Sequence, residues 1–130
     1  MAVRVFLAIS LVIWTGYGFY CFFVPSSLET GAGILAMTPT GTSELRAMYG
    51  GLQIAIGVLA GAGLVYASLR MTALVALTFL TGGLALARLV GAALDGGFGD
   101  YTNAALIFEF VSTAVSLGLW TRSKASGAST

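Results

Sequence analysis

Long apolar runs alternate with short polar stretches along the chain, and this pattern is the first guide to its structure. Four runs are long enough to cross a membrane as helices, which takes about 20 residues each. The predicted helices span about residues 3–24, 43–69, 71–94 and 101–121. The pattern therefore predicts an all-α protein, a four-helix transmembrane bundle formed by one domain of residues 1–122.

The segments between these runs have the composition of connections. Residues 26–42 are rich in Gly, Ser and Thr, and their apolar middle, 34–37, is too short to span, so we expect an interfacial turn or a partly re-entrant piece there. Arg70 lies in a very short connection, which predicts an antiparallel hairpin of the second and third helices. The glycine-rich residues 95–100 predict a tight loop, and the small polar residues 123–130 predict a disordered cytoplasmic tail.

Residues at the ends of the runs indicate where helices start and stop. The first run begins near Arg4 and is too long for the core of a signal peptide. No small-x-small cleavage site follows it, so it predicts a membrane helix. Pro25 stops that helix. We expect Thr42 or Ser43 to cap the second helix, with Glu44 in its first turn facing the positive helix end.

With four spans, the charged residues outside the apolar runs sort by side of the membrane. The basic ones fall on one side, and these are Arg4, Arg70, Arg122 and Lys124. The acidic ones fall on the other side, and these are Glu29, Glu44, Asp95 and Asp100. Because basic residues are retained on the cytoplasmic side, we predict a multi-pass protein of the inner (plasma) membrane with both termini in the cytoplasm.

The composition supports lipid as the solvent of this chain. Its 130 residues are 58% hydrophobic and only 8% charged, with a mean hydropathy of +0.95, whereas a soluble domain carries about 25% charged residues. The net charge of +1 gives no electrostatic reason to expect nucleic acid as a partner. With no histidine, and with Cys21 expected to be a small buried residue, the sequence predicts neither a metal nor a cofactor.

Two charged residues lie inside the apolar runs, where charge is costly and usually serves a purpose. At a rise of about 1.5 Å per residue, Arg88 lies about 9 Å and Glu109 about 12 Å from the outer ends of their helices. On the same scale Arg46 lies about 4–5 Å deep and Gln53 about 15 Å deep. We therefore predict a contact between Arg88 and Glu109, with Arg46 near it.

Each predicted helix also has one stripe of polar and small residues at helical spacing. The stripes are Ser10, Trp14, Tyr17 and Cys21; Arg46, Tyr49, Gly50, Gln53 and Gly57; Thr81, Ala85, Arg88 and Asp95; and Glu109, Ser112, Thr113 and Ser116. Polar stripes face protein or a water-filled cavity rather than lipid, so together they predict a polar pocket opening to the outer face. The candidate ligand-binding residues are Tyr17, Arg46, Tyr49, Gln53, Arg88 and Glu109.

Several functions fit such a pocket. Two arginines facing one glutamate leave positive charge unless Glu44 or Asp95 neutralises it, and this charge suits a binding protein or accessory subunit that holds an anionic lipid headgroup or a small anion. One alternative is a small proton-coupled transporter that uses Glu109, although a neighbouring arginine would keep that carboxylate ionised. The other is a purely structural subunit of a larger membrane complex, in which the ion pair fixes helix register. An enzyme is least favoured, because no general base accompanies a nucleophile.

Small residues spaced four apart let membrane helices approach closely, and they bear on possible partners. Gly57 and Gly61 form a GxxxG, which favours packing inside the bundle over a homodimer seam. Further lines of this kind are Ala47, Gly51 and Ala55, and Gly83, Ala87 and Gly91. The expected partners are membrane lipids, with a homo-oligomer or a larger membrane complex left open.

One polar segment resembles the signature of a known family. It reads Ser-Glu-Leu-Arg-Ala-Met-Tyr-Gly-Gly over residues 43–51, and Tyr17-Gly18, Arg88 and Glu109 accompany it in the other helices. Together they resemble a family of small bacterial four-helix membrane proteins catalogued as a domain of unknown function. The resemblance covers about residues 5–121 and implies an integral membrane protein without a stated activity. The chain is more distantly similar to DoxX-like membrane proteins in size and number of spans.

Overall fold

Four long helices and one short one make up the computed structural model, which describes residues 1–127. The elements are α1 (Ala2–Phe23), the short α2 (Ser27–Ala32), α3 (Pro39–Val65), α4 (Arg70–Asp95) and α5 (Asp100–Gly127). The predicted all-α fold is confirmed, since no strand occurs among the described residues. The four long helices are each long and apolar enough to cross a membrane.

The second span starts earlier than predicted, because a capping signal lies within the polar loop. The hydroxyl of Thr38 accepts a hydrogen bond from the Gly41 N–H at 3.1 Å, and Pro39 occupies the first helical position. The expectation that Thr42 or Ser43 caps this helix is therefore wrong, since both lie inside it.

The connections also differ in detail from the prediction. The predicted loop over 26–42 contains the helix α2, which ends at Gly33 in the left-handed conformation (φ 69°), and its apolar middle, 34–37, is not helical. A 3₁₀ turn, Ala67–Leu69, joins α3 to α4, and Arg70 begins α4. The fourth span continues to Gly127 instead of ending near residue 121, and the remainder of the predicted tail lies outside the described residues.

Glycines bring α1 and α3 into close antiparallel contact. A Cβ atom on Gly18 would lie 2.8 Å from the backbone oxygen of Gly50, and one on Gly57 would lie 2.7 Å from the backbone nitrogen of Thr15. Only glycine permits backbones to approach this closely. Gly61 packs against Leu11 of α1 as well, so the GxxxG lies inside the bundle, as predicted.

Hydroxyl groups join α4 to α5, also in antiparallel order. The hydroxyls of Thr81 and Thr113 lie 2.8 Å apart, and Thr78 donates to the Ser116 hydroxyl at 3.0 Å. Each of these hydroxyls also lies within hydrogen-bond distance of a carbonyl of its own helix, a common arrangement for Ser and Thr in apolar helices. The stripe predicted from Glu109 to Ser116 therefore faces α4.

The hydrophobic core occupies the half of the bundle near the two termini. Its buried residues come from the first half of α1, the second half of α3 and the first half of α4, and they include Leu7, Ile56, Ala60, Leu74 and Leu77. There the α3–α4 hairpin is tight, since a Cβ atom on Gly63 would lie 3.1 Å from the Ala73 Cβ. The opposite half holds a cavity.

Candidate functional site

A cavity of about 540 Å³ lies between the helices in the half of the bundle distant from the termini. Its wall comes from the second halves of α1 and α4 and the first halves of α3 and α5, which meet because the helices are antiparallel. Most of the wall is aromatic or aliphatic and includes Ile13, Trp14, Leu52, Leu84 and Phe108. A cavity of this size and character is typical of a site for a small molecule.

The cavity wall carries one ion pair, formed by the two charges that the sequence places inside apolar runs. Arg88 donates from Nη2 to Glu109 Oε1 at 2.7 Å, and from Nε to both carboxylate oxygens at 3.1 Å each. Glu109 is only 3% exposed. Such a forked, charge-assisted contact offsets much of the cost of burying the carboxylate.

Five of the six predicted site residues line this cavity, and these are Tyr17, Tyr49, Gln53, Arg88 and Glu109. The sixth, Arg46, is not part of the wall. Its guanidinium donates to the carbonyl of Phe22 near the end of α1 and lies 5.6 Å from the centre of the Phe22 ring. Arg46 therefore satisfies a helix-end carbonyl instead of adding charge to the cavity.

The local backbone explains the different position of Arg46. The segment Arg46–Gly51 is π-helical, and the Leu52 N–H bonds to the Ala47 carbonyl five residues earlier. A π-helical turn contains more residues than an α-helical turn, so residues on either side of it no longer share the face that α-helical spacing predicts. The α-helical spacing predicts one stripe for Arg46 and Gln53, and the π-helical turn separates them.

Gln53 has an unsatisfied polar atom. Its side-chain nitrogen donates weakly to the Met48 carbonyl, at 3.4 Å, within the π-helical turn. The residue is 7% exposed, and its side-chain oxygen is buried without a hydrogen-bond partner in the part of the chain that the structure describes. Buried polar atoms are normally paired, so this unpartnered acceptor, on a residue that lines the cavity, is unusual.

Three tyrosines surround the ion pair, and one of them was missed in the sequence. The hydroxyls of Tyr17 and Tyr101 lie 3.0 Å apart and join α1 to α5, while the Arg88 guanidinium lies 5.8 Å from the Tyr101 ring centre. Tyr49 lines the cavity from α3. Tyr101 precedes Glu109 by two helical turns, so extending the Glu109 stripe backwards would have found it.

An aromatic contact between two residues of the cavity wall also joins α1 to α5. The rings of Trp14 and Phe108 lie 5.6 Å apart and give α1 and α5 a second contact. Phe108 had no distinguishing signal in the sequence, because one phenylalanine in an apolar run looks like any lipid-facing residue. The site as a whole combines an apolar chamber with a charged pair, hydroxyl groups and one free amide oxygen.

Four antiparallel apolar helices, each long enough to cross a membrane, define the chain as a multi-pass membrane protein. It belongs to the family DUF4345, a domain of unknown function, which matches residues 2–120. The family resemblance carried by residues 43–51 is thus confirmed, and it brings no activity with it. Searches of curated proteins and of solved structures returned no significant match.

Proposed function

We propose that this protein binds an amphiphilic molecule from the membrane, and that the cavity is its binding site. The cavity itself is the observation that carries the proposal. Its wall is apolar enough to hold a hydrocarbon chain, and Gln53, Arg88 and Glu109 supply polar contacts for a head group. Membrane lipids are then the direct partners of the protein.

The charges observed at the cavity change the expectation, drawn from the sequence, that the ligand is an anion. That expectation depended on surplus positive charge from two arginines. Arg46 bonds to Phe22 instead, and Arg88 is paired with Glu109. The proposed ligand therefore need not be negatively charged. It is still an amphiphile whose head group enters the cavity.

Proton-coupled transport is less well supported by the same contacts. A carrier carboxylate has to be accessible to the protons that it takes up and releases, whereas Glu109 is 3% exposed and is held at two points by Arg88. Transport would require the ion pair to open in every cycle. Binding requires no such change.

A role as a subunit of a larger membrane complex or homo-oligomer has separate support. Ala47, Gly51 and Ala55 are exposed on α3. On α4, Cβ atoms added to Gly83 and Gly91 would meet nothing within 4 Å. Such lines are suited to close contact with another membrane helix. This role is compatible with a ligand in the cavity.

For location, we propose the inner (plasma) membrane, with both termini in the cytoplasm. The antiparallel contacts of the helices are consistent with termini on the same side. The choice of side follows from the basic residues at that end of the bundle, which are attracted to the cytoplasmic face.

Native mass spectrometry of protein gently extracted from its own membrane tests the binding proposal. The informative variant is Ala105→Phe, which places a ring into the cavity without removing a polar contact. Ala114→Phe is the matched control, because Ala114 is exposed on the same helix and does not line the cavity. We expect a discrete bound mass on the wild type and the control, and its loss from Ala105→Phe. A wild-type protein that carries no bound molecule, or equal retention by both variants, would contradict the proposal.

A further inference from the structure

Building on the proposed function, we propose a chemical class for the ligand and a route of entry. The ligand is an uncharged amphiphile with one hydrocarbon chain. Its head group donates a hydrogen bond to Gln53 and accepts one from Arg88, as a hydroxyl or a primary amide does. It reaches the cavity sideways from the bilayer rather than from water.

The charge of the wall argues for an uncharged head group. Arg88 and Glu109 are the charged residues that line the cavity, and they neutralise each other. An anionic head group would leave a net negative charge in an apolar chamber and would compete with Glu109 for the guanidinium. A cationic head group would leave a net positive charge beside Arg88. Either net charge is costly away from water.

The unpartnered acceptor of Gln53, a residue that lines the cavity, argues for a hydrogen-bond donor on the ligand. The side-chain oxygen of Gln53 is buried and unpartnered among the described residues, while the amide nitrogen faces the Met48 carbonyl. Because the amide nitrogen makes this contact, the amide oxygen is the end that has no partner. The nitrogen contact is long, at 3.4 Å, so a small rotation of the amide can present the oxygen to a bound donor.

Arg88 argues for an acceptor on the same head group. Its contacts with Glu109 use Nε and Nη2, and a guanidinium has five N–H donors in all. The side chain is 27% exposed, so part of it remains open beside the buried carboxylate. A hydroxyl oxygen or an amide carbonyl can accept from it without displacing Glu109.

The route of entry follows from residues that line the cavity and are also exposed. Ile13, Met48 and Leu52 are 41%, 54% and 43% exposed, although all three contribute to the wall. Leu52 lies at the middle of Pro39–Val65, and Ile13 lies near the middle of α1. The cavity therefore opens through the flank of the bundle, at the depth of the lipid chains. The head group and the adjoining part of the chain can occupy the cavity while the rest of the chain remains in the bilayer.

The chain provides a fluorescent reporter for this site. Trp14 lines the cavity, whereas the second tryptophan, Trp120, does not. In a Trp120→Phe protein, Trp14 is the sole tryptophan, and bromine atoms on a bound chain quench its emission on contact. The probes share one brominated octadecyl chain and differ in head group: primary alcohol, methyl ether, carboxylate at pH 8, and trimethylammonium. The protein is held in nanodiscs of unbrominated lipid.

We expect saturable quenching by the alcohol, with an apparent Kd about tenfold lower than that of the ether, which cannot donate. The carboxylate and the trimethylammonium probe are expected to be at least as weak as the ether. Gln53→Leu should weaken the alcohol about tenfold and leave the ether unchanged. Because this variant removes an unpartnered acceptor, its unfolding temperature should not fall.

Each departure from this result has a distinct meaning. If no probe quenches saturably, the proposed function itself fails. If the alcohol and ether bind equally, or Gln53→Leu weakens both alike, the donor contact is wrong while the cavity stands as a site. Tightest binding of the carboxylate overturns the uncharged head group. A short, water-soluble alcohol should displace the probe less well than the octadecyl alcohol does. If the two alcohols displace it equally, entry from the bilayer is overturned.

Discussion

Glu109 and Arg88 differ in burial, and this difference determines what each contributes to stability. The carboxylate is almost fully enclosed, whereas the guanidinium is partly open to the cavity. A buried charge that loses its partner is strongly destabilising, while replacement of the whole pair by apolar residues is often tolerated. The pair is therefore more important for avoiding a lone buried charge than for adding net stability.

Arg88→Leu and Glu109→Leu, alone and combined, test this view of the pair. Arg88→Leu leaves the carboxylate buried without a partner, so we expect the free energy of unfolding to fall by about 3–5 kcal/mol. The double variant should recover most of that loss, because neither charge remains. Equilibrium unfolding in detergent gives the four values of the cycle. Losses that simply add in the double variant would show that the two side chains are not coupled.

Among elements, the seam between α1 and α3 has the strictest packing. Gly50 meets Phe22, where a Cβ atom would lie 2.8 Å from the Phe22 Cβ, and Gly57 meets the backbone of Thr15. Gly61 is different, because its neighbour is the end of the flexible Leu11 side chain. The seam therefore predicts unequal effects for the same substitution at different glycines.

A series of Gly→Ala variants checks the seam. Gly57→Ala should destabilise by about 1–3 kcal/mol, since the new methyl group collides with backbone that can yield only if the helices separate. Gly61→Ala should be close to neutral because Leu11 can move. Gly118→Ala is the control, as a Cβ atom there meets nothing within 4 Å. Thermal unfolding in one detergent compares them, and equal effects at all three positions would refute the seam as described.

The sequence predicted the long helices well because their signal is strong and repeated. Apolar runs of sufficient length have few alternatives in a chain with so little charge. The π-helical turn at Arg46–Gly51 could not be predicted in the same way. An extra residue in one turn leaves the composition of the segment unchanged, so neither the apolar pattern nor residue propensity marks it, and the close fit of Gly50 against Phe22 exists only once the helices are packed.

The start of α3 and two residues of the cavity wall also differ from the prediction, and the strength of their sequence signals explains why. The start of α3 at Thr38-Pro39 was signalled by a cap and a proline, but the surrounding Ser, Thr and Gly residues looked like a loop. Tyr101 could be found by helical periodicity from Glu109. Phe108 could not, because an aromatic residue facing a cavity and one facing lipid have the same sequence pattern.

On the scale of the whole molecule, the bundle consists of two tight helix pairs with a cavity at one end between them. Glycines hold α1 against α3, and hydroxyl groups hold α4 against α5. The two pairs share the apolar core near the termini, and toward the opposite end they enclose the cavity, where the Tyr17 and Tyr101 hydroxyls join them. The orientation of the bundle then decides which face of the membrane lies nearer the cavity.

Labelling of single cysteines measures that orientation. The native Cys21 is fully buried and gives little background. Ser68 is exposed in the α3–α4 turn, and Phe98 is exposed in the α4–α5 turn. With cytoplasmic termini, a membrane-impermeant maleimide should label Phe98→Cys in cells with an intact membrane, and Ser68→Cys only after permeabilisation. The reverse pattern would place the termini outside.

The two tight seams have a consequence for how the protein is made. Each seam joins spans that follow one another along the chain, so each pair can form as soon as its second helix has left the ribosome. The cavity needs residues from all four spans, the last of them from α5. A chain interrupted after α3 could therefore contain a well-packed half of the molecule and yet have no site. The complete cavity wall is therefore the last part of the fold that can form during synthesis.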